Sequence, residues 1–157
     1  MGAADMPHYM EGDYDTDEIF MRAAISEARE ALNMEEVPIG AVVVSSGVII
    51  GRGHNLVETL SDSTAHAEMQ ALTAAMGAAG KYLPQCTLYV TVEPCVMCAG
   101  ASAWAQVGRI VYGTADQKRG FASSGYKILH PKTKVQGGVL EAECAGLMSD
   151  FFKKLRR

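Results

Sequence analysis

Apolar and polar residues follow two different periods along this chain. From Asp17 to about Asn33 apolar residues recur at the spacing of one helical face, which predicts an amphipathic helix. Short apolar runs bounded by glycine or proline predict strands, and segments rich in alanine, leucine and methionine predict further helices. Thr16 or Asp17 is the expected N-cap of the first helix, and Thr64 that of the second. The predicted elements are helix Asp17–Asn33, strands Ala41–Val44 and Val48–Ile50, helix Ala65–Ala79, strand Thr87–Val92, helix Cys95–Gln106, strand Arg109–Gly113 and helix Glu141–Arg157.

Helices alternate with strands in this pattern, which is typical of α/β proteins. We therefore expect a three-layer αβα sandwich with a central mixed sheet. The second strand continues beyond its apolar residues through Gly51 and Gly53 and ends at His54-Asn55. The two glycines predict either a weakened strand or a bulge where something approaches the backbone closely. The polar, glycine-containing residues 114–137 predict a long loop, and loops of that length are usually functional or mobile.

Length and composition indicate one globular domain. The chain has 157 residues, of which 48% are hydrophobic and 20% charged, so it can bury a core and is too apolar to be disordered. We expect residues 1–16 to form a flexible acidic tail and residues 17–157 to form a single domain. No apolar run approaches the ~18 residues that span a bilayer, and the acidic start lacks the features of a secretory signal. We therefore expect a cytoplasmic protein with no membrane partner.

Charge is distributed unevenly along the chain. The net charge is −4, but residues 1–18 hold six acidic residues and no basic ones. From Arg109 to the end there are ten basic and four acidic residues. The overall acidity therefore does not argue against an anionic partner, although a solvated basic face would explain the same distribution.

Two cysteines and one histidine have the spacing of metal ligands. Cys95 and Cys98 form a CxxC pair, and His66 lies upstream. Cys86 and Cys144 lie in apolar surroundings, so we expect both in the core. Three protein ligands with one position left for water are typical of a catalytic zinc site, whereas a structural site has four. We predict one Zn²⁺ per chain on these three ligands; CxxC by itself would equally fit a zinc knuckle or a redox pair.

Glu68 is the candidate proton carrier of this site. The predicted helices place His66 in one first turn and the cysteines in another, so both positive helix ends would face the metal and stabilise thiolates and hydroxide. Glu68 follows His66 by two residues, which on a regular helix is roughly the opposite side. At a helix start we expect its longer side chain to reach the cavity and act in acid–base catalysis.

These residues resemble the signature of the zinc-dependent cytidine and adenosine deaminases, H-x-E followed by P-C-x-x-C. Within that superfamily the chain is similar to the bacterial tRNA adenosine deaminases over roughly residues 17–157. The matching stretches are Val37–Val42, Thr64–Glu68, Thr91–Ala101, Gly108–Gly113, Gly138–Cys144 and Asp150–Phe152. The resemblance implies a cytidine deaminase-like fold.

The resemblance also implies a reaction, the hydrolytic deamination of adenosine to inosine at the wobble position of a tRNA anticodon. Zinc would activate a water molecule and Glu68 would move protons. The anticodon loop suits this chemistry because its bases can be splayed out of the stack. The implied substrate-binding residues are Asn55 and the Ala67 backbone N–H for the base, and Asp116, Lys118 and Arg119 for the anticodon arm.

Quaternary structure and two other functions stay open. The family is homodimeric, and the apolar residues around Met97 and Trp104 would suit either a dimer interface or the core. A deaminase of free guanine, cytosine or cytidine would use the same zinc and Glu68, but would not explain the basic C-terminal third. A non-catalytic zinc-stabilised RNA-binding module would leave Glu68 with a structural role, but would be expected to have a fourth ligand.

Overall fold

The computed structural model describes residues 14–156. Its five helices and five strands follow one another along those residues as helix α1 Tyr14–Asn33, strands β1 Gly40–Ser45 and β2 Val48–His54, helices α2 Val57–Leu60 and α3 Ala67–Ala79, strand β3 Cys86–Val92, helix α4 Val96–Trp104, strands β4 Arg109–Thr114 and β5 Lys134–Gln136, and helix α5 Glu141–Leu155. Every helix and strand expected from the sequence is present, with ends that differ by a few residues. Residues 1–13, which hold most of the expected acidic tail, lie outside the described part of the chain.

The strands form one mixed sheet in the order β2-β1-β3-β4-β5. β1 pairs antiparallel with β2 and β3, whereas β3–β4 and β4–β5 are parallel. Alternate residues of β1 face opposite sides: Val43 packs in an apolar cluster with α3, and Val42 in another with α1 and Cys144 of α5. This is the expected three-layer sandwich. All of β3 is buried, because it lies in the middle of the sheet.

Glycines in β2 bring helix α3 unusually close to the sheet. β2 continues through Gly51 and Gly53 to His54, where the sequence also predicts its end. A β-carbon on Gly51 would collide with the Ala71 carbonyl, and one on Gly53 with the Ala67 carbonyl. The element that approaches these glycines is therefore α3, and its first turn is held against the end of β2.

The expected cap of α1 is wrong. The helix begins at Tyr14, so Thr16 and Asp17 lie inside its first turn, where both are buried. The Asp17 carboxylate accepts two hydrogen bonds of 2.7 Å from Arg109 and one of 2.8 Å from the Tyr89 hydroxyl. This residue therefore ties α1 to β3 and β4 instead of capping the helix.

The expected cap of α3 is also wrong. Thr64 bonds the Asp62 side chain through its N–H and its hydroxyl, and the helix starts only at Ala67, with His66 as its N-cap residue. The helix therefore begins at the histidine itself.

Two segments that looked like loops contain further structure. The polar residues after Asn55 include the short helix α2, and residues 114–137 include β5 and a 3₁₀ turn at Phe121–Ser124. The three residues of β5 are all exposed, and with a single apolar residue the segment is too short for the apolar alternation that predicts a strand. Within residues 14–156, no helix has both the length and the apolar character needed to cross a bilayer.

Candidate metal centre and active site

Three ligand-type side chains converge where α3 and α4 begin. His66 precedes α3, Cys95 precedes α4, and Cys98 is the third residue of α4. The Nδ1 atom of His66 lies 3.6 Å from the Cys95 Sγ and 3.5 Å from the Cys98 Sγ. All three ligand atoms lie within 4.8 Å of one another, so the group could hold a metal ion.

The spacing of these atoms fits a tetrahedral zinc site. Zinc–sulfur bonds of about 2.3 Å and a zinc–nitrogen bond of about 2.05 Å, at the tetrahedral angle, put sulfur and nitrogen about 3.6 Å apart. The two observed separations, 3.5 and 3.6 Å, agree with that value. Neither Cys86 nor Cys144 joins the group, because both are buried in the apolar clusters, as expected from the sequence.

The two thiols are electrostatically different. A hydrogen bond from the Cys98 thiol lowers the pKa of Cys95 to about 4, with further lowering by His66 and by the Cys98 backbone N–H. The same hydrogen bond, together with burial, raises the pKa of Cys98. The hydrogen bond between His66 and Cys95 raises the pKa of His66. The site is thus already arranged to stabilise negative charge on sulfur, which metal binding requires.

Glu68 lies beside these ligands without being one of them. It is the second residue of α3 and is 4% exposed. Burial raises the pKa of its carboxyl to about 7, while a hydrogen bond with Cys98 and the charge of His66 act in the opposite direction. A carboxyl with a pKa near neutrality can both accept and release a proton at physiological pH.

Asn55 follows β2, at the strand end that lies beside the candidate metal ligands His66, Cys95 and Cys98. The neighbouring Leu56 N–H donates to the Ala65 carbonyl at 2.9 Å, which brings this strand end beside His66. The Asn55 Oδ1 accepts the Val57 N–H at 3.0 Å, and this bond orients the amide. Its NH₂ group makes no hydrogen bond within the described residues, so it is available as a donor to a ligand.

A buried carboxylate that the sequence analysis did not single out holds the segment after Asn55. Glu36 is 1% exposed and accepts hydrogen bonds from the Glu58 N–H at 3.0 Å, the Thr59 N–H at 2.7 Å and the Thr59 hydroxyl at 2.6 Å. Burial by itself would raise the pKa of Glu36, but these bonds outweigh it and keep that pKa below its usual value. Glu36 thereby anchors helix α2 beside Asn55.

The loop after β4 also contacts the segment that carries Cys95, one of the three candidate metal ligands. Gly120 forms an isolated β-bridge with Cys95, and the Phe121 N–H donates to the Pro94 carbonyl at 3.0 Å. Lys118 and Arg119 are exposed in this loop, whereas Asp116 is half-buried. The Asp116 Oδ1 accepts the backbone N–H groups of both Lys118 and Arg119 at 3.0 Å.

The fold therefore brings the sequence-predicted residues to one end of the sheet. His54 is directed elsewhere, with its Nδ1 2.9 Å from the Glu27 carboxylate. His130 lines a separate cavity of about 630 Å³ beside the other end of β3 and β4, together with Lys132 and Lys134. Neither histidine joins the metal cluster.

The chain is similar to known proteins over most of its length. The family model for MafB19-like deaminase matches residues 14–156. A tRNA-specific adenosine deaminase of Bacillus subtilis is 46% identical over 147 residues, which cover 90% of this chain and 91% of the relative. A solved structure from a study of A-to-I editing by tRNA:A34 deaminases at the wobble position superposes with a TM-score of 0.77. It is 42% identical, over 82% of this chain and 98% of the other.

A third similarity is to a deaminase of a free base. The guanine deaminase of Bacillus subtilis is 38% identical, with a TM-score of 0.61, over 71% of this chain and 71% of the other. The match to the tRNA-specific enzyme is both longer and closer. The chain therefore belongs to the deaminase family that contains the bacterial tRNA-specific adenosine deaminases.

Proposed function

We propose that this protein hydrolyses adenosine to inosine, with release of ammonia, at the wobble position of a tRNA anticodon. The observation that carries the proposal is the similarity to tRNA-specific adenosine deaminases across nine-tenths of both chains. That match extends beyond the short ligand motifs to the loop after β4, which lies beside the metal cluster. The buried Glu68 beside the cluster supplies the acid–base group that the reaction requires.

His66, Cys95 and Cys98 would hold a zinc ion, since their spacing and chemistry suit it. Thiolate and imidazole ligands favour zinc over the hard cations. When bound, zinc would supply Lewis-acid activation of the water that attacks the purine. The backbone N–H groups in the first turns of α3 and α4 have no acceptor within their own helices, and they add positive potential at the same place.

Glu68 is the group that we expect to move protons. Its carboxylate would accept a proton from the attacking water and pass it to the purine ring nitrogen. Glu68 would then move the proton left on the oxygen added at C6 to the amino group, so that ammonia leaves and the C6 carbonyl of inosine forms. The pKa of about 7 suits both directions, because neither protonation state is strongly disfavoured at neutral pH.

Asn55 and Ala67 would orient the base. The Asn55 Oδ1 accepts the Val57 N–H, which leaves the NH₂ group of the same amide to donate to a purine acceptor. Ala67 is the first residue of α3, so its N–H has no acceptor within the helix. Lys118 and Arg119 are exposed on the adjoining loop and would contact phosphates of the anticodon arm, while Asp116 shapes their turn.

We also propose that the protein acts as a homodimer in the cytoplasm, where tRNA is found. The outer side of α4 is apolar and exposed: Val96 is 49%, Met97 36% and Trp104 86% exposed. This exposure excludes Trp104 from the core of the chain. Measurement of the molar mass by light scattering would test the proposal: we expect twice the chain mass for the wild type and one chain mass for Trp104→Glu.

The function is tested by an assay of the zinc-loaded protein on an anticodon stem-loop with adenosine at the wobble position. Free guanine, cytosine and cytidine are assayed beside it, because the similarity to guanine deaminase makes a free base the competing substrate. We expect inosine in the stem-loop and no turnover of the small substrates. Turnover of guanine with none of the stem-loop would overturn the proposal, and zinc binding with no turnover at all would favour a non-catalytic module.

A further inference from the structure

Glu93 is a buried carboxylate between the central strand and the metal ligands. It follows β3, precedes Pro94 and Cys95, and is 5% exposed. No cationic side chain among residues 14–156 forms an ion pair with it. Leaving a carboxylate buried without partners is costly, so its hydrogen bonds indicate what it does.

Both oxygens of Glu93 bind the loop after β4. Its Oε1 accepts the Asp116 N–H at 3.2 Å, and its Oε2 accepts the Ala122 N–H at 2.9 Å. These two donors stand at either end of the segment Asp116–Ala122. One side chain therefore holds both ends of the loop that carries Lys118 and Arg119.

Asp116 continues this arrangement inside the loop. Its backbone N–H is held by Glu93, and its Oδ1 accepts the N–H groups of Lys118 and Arg119. The Gly120 N–H closes the turn on the Asp116 carbonyl at 2.9 Å. The Glu93 carboxylate thus positions the backbone of Asp116, and the Asp116 carboxylate positions the backbone of the two cationic residues.

The loop packs closely against the residues that precede α4. A β-carbon on Gly120 would collide with both the Glu93 carboxylate and the Asp116 carbonyl, so a side chain here would disturb the contact with Glu93 and the turn itself. Gly120 also bridges to Cys95, and Phe121 bonds Pro94. Three consecutive residues, 93–95, therefore contact the loop, and the last of them is a metal ligand.

We propose that Glu93 is a positioning residue that sets the Asp116–Ala122 loop in register with the metal centre, and so places Lys118 and Arg119 for the anticodon arm. This inference rests on the proposed function for its substrate. The placement of the loop is independent of that function and can be measured without turnover.

The first test is amide hydrogen exchange by NMR on the zinc-loaded protein. In the wild type we expect the Asp116 and Ala122 amides to be protected. In Glu93→Gln one of the two acceptor oxygens becomes an NH₂ group that cannot accept, so protection of at least one of these amides should fall by about tenfold, the equivalent of one hydrogen bond. Glu30→Gln, an exposed acid on α1, is the matched control and should change neither. Unprotected amides in the wild type would overturn the proposal even if the enzyme is active on tRNA.

The second test separates placement of the loop from general damage. For the stem-loop substrate we expect Glu93→Gln to raise KM by about tenfold with kcat and zinc content within about threefold of the wild type, since one loop contact is worth roughly that factor. Glu93→Asp keeps both acceptors and should restore part of the change. A fall in kcat and zinc content at unchanged KM would show a merely structural role and overturn the proposal.

Gly120→Ala perturbs the same contact from the other side and keeps the proposal testable if Glu93→Gln does not fold. It should raise KM and expose the same two amides. Gly77→Ala is its control, because a β-carbon there meets nothing within 4 Å. A Gly120→Ala protein with unchanged KM and unchanged protection would overturn the inference. A wild type that is inactive on the stem-loop refutes the proposed function, while amide exchange still decides the role of Glu93.

Discussion

The Nδ1 atom of His66 lies 3.5 Å from the sulfur of Cys98, across 32 residues of sequence. This separation is what a shared tetrahedral metal would impose, and Cys95 completes the group at 3.6 Å. Cys98→Ser should therefore lose most of its zinc together with its activity. Elemental analysis of the purified variant checks this, with Cys144→Ser as a control that keeps its zinc, and a full zinc complement in Cys98→Ser would refute the ligand assignment.

Glu68→Gln should separate metal binding from turnover. The carboxyl is buried beside the cluster but is not one of its ligands, so we expect the variant to keep zinc. The amide cannot carry protons, and kcat should fall by about 10²–10⁴. Zinc content and single-turnover rates measured on the same preparation check both halves, and a variant of near wild-type rate would remove Glu68 from the mechanism.

Cys95 should be a reactive thiolate in the metal-free protein. Its pKa is lowered to about 4, so the thiolate is fully formed above about pH 5 and is lost only as the pH falls through 4. Alkylation by iodoacetamide, followed residue by residue with mass spectrometry, should be nearly constant from pH 6 to 8 at Cys95 and slow at Cys98, whose pKa is raised. Added zinc should protect both. A Cys95 rate that climbs steeply between pH 7 and 9 would contradict the arrangement.

Lys118→Ala should weaken RNA binding in a salt-dependent manner. The side chain is exposed on the loop beside the metal cluster, and each phosphate contact contributes roughly 0.7–1 to the slope of log affinity against log salt. We therefore expect this slope to be smaller for the variant by the contribution of about one contact. Binding isotherms recorded across a salt series measure it. Lys81→Ala is the matched control, because Lys81 follows the far end of α3. Equal slopes for Lys118→Ala and the wild type would exclude this contact.

Asp17→Ala should destabilise the fold strongly. It removes the carboxylate that pairs with Arg109 and accepts from the Tyr89 hydroxyl, in a place where the Asp17 side chain is only 4% exposed. Breaking one side of a buried ion pair costs about 3–5 kcal/mol. Urea unfolding measures the loss. The exposed pair of Arg22 and Glu143 offers a comparison, and Glu143→Gln should cost less than about 1 kcal/mol.

Local patterns in the sequence were sufficient to single out the candidate metal ligands, which the fold brings together, and most of the architecture. Each of these signals occupies only a few residues: the CxxC pair, His66 and the apolar run of β3. Their residue types or periodicity can be recognised without knowledge of distant contacts. The same holds for the helices, whose ends differ from prediction by only a few residues. The sandwich and the family membership follow from these short-range features and are confirmed by the sheet order and the comparisons.

Only the tertiary structure decided how the site is assembled around those ligands. β5 has three exposed residues, of which only Val135 is apolar, and it is a strand because the edge of β4 offers backbone partners. Gly53 sets the start of α3 by letting a helix carbonyl come close, and Glu93 reaches a donor 29 residues away. Such contacts join parts of the chain that are far apart in sequence, so their effect depends on shape. Residue type by itself determined which atoms could bind zinc. Packing determined where the proposed substrate-binding loops after β2 and β4 lie relative to those atoms.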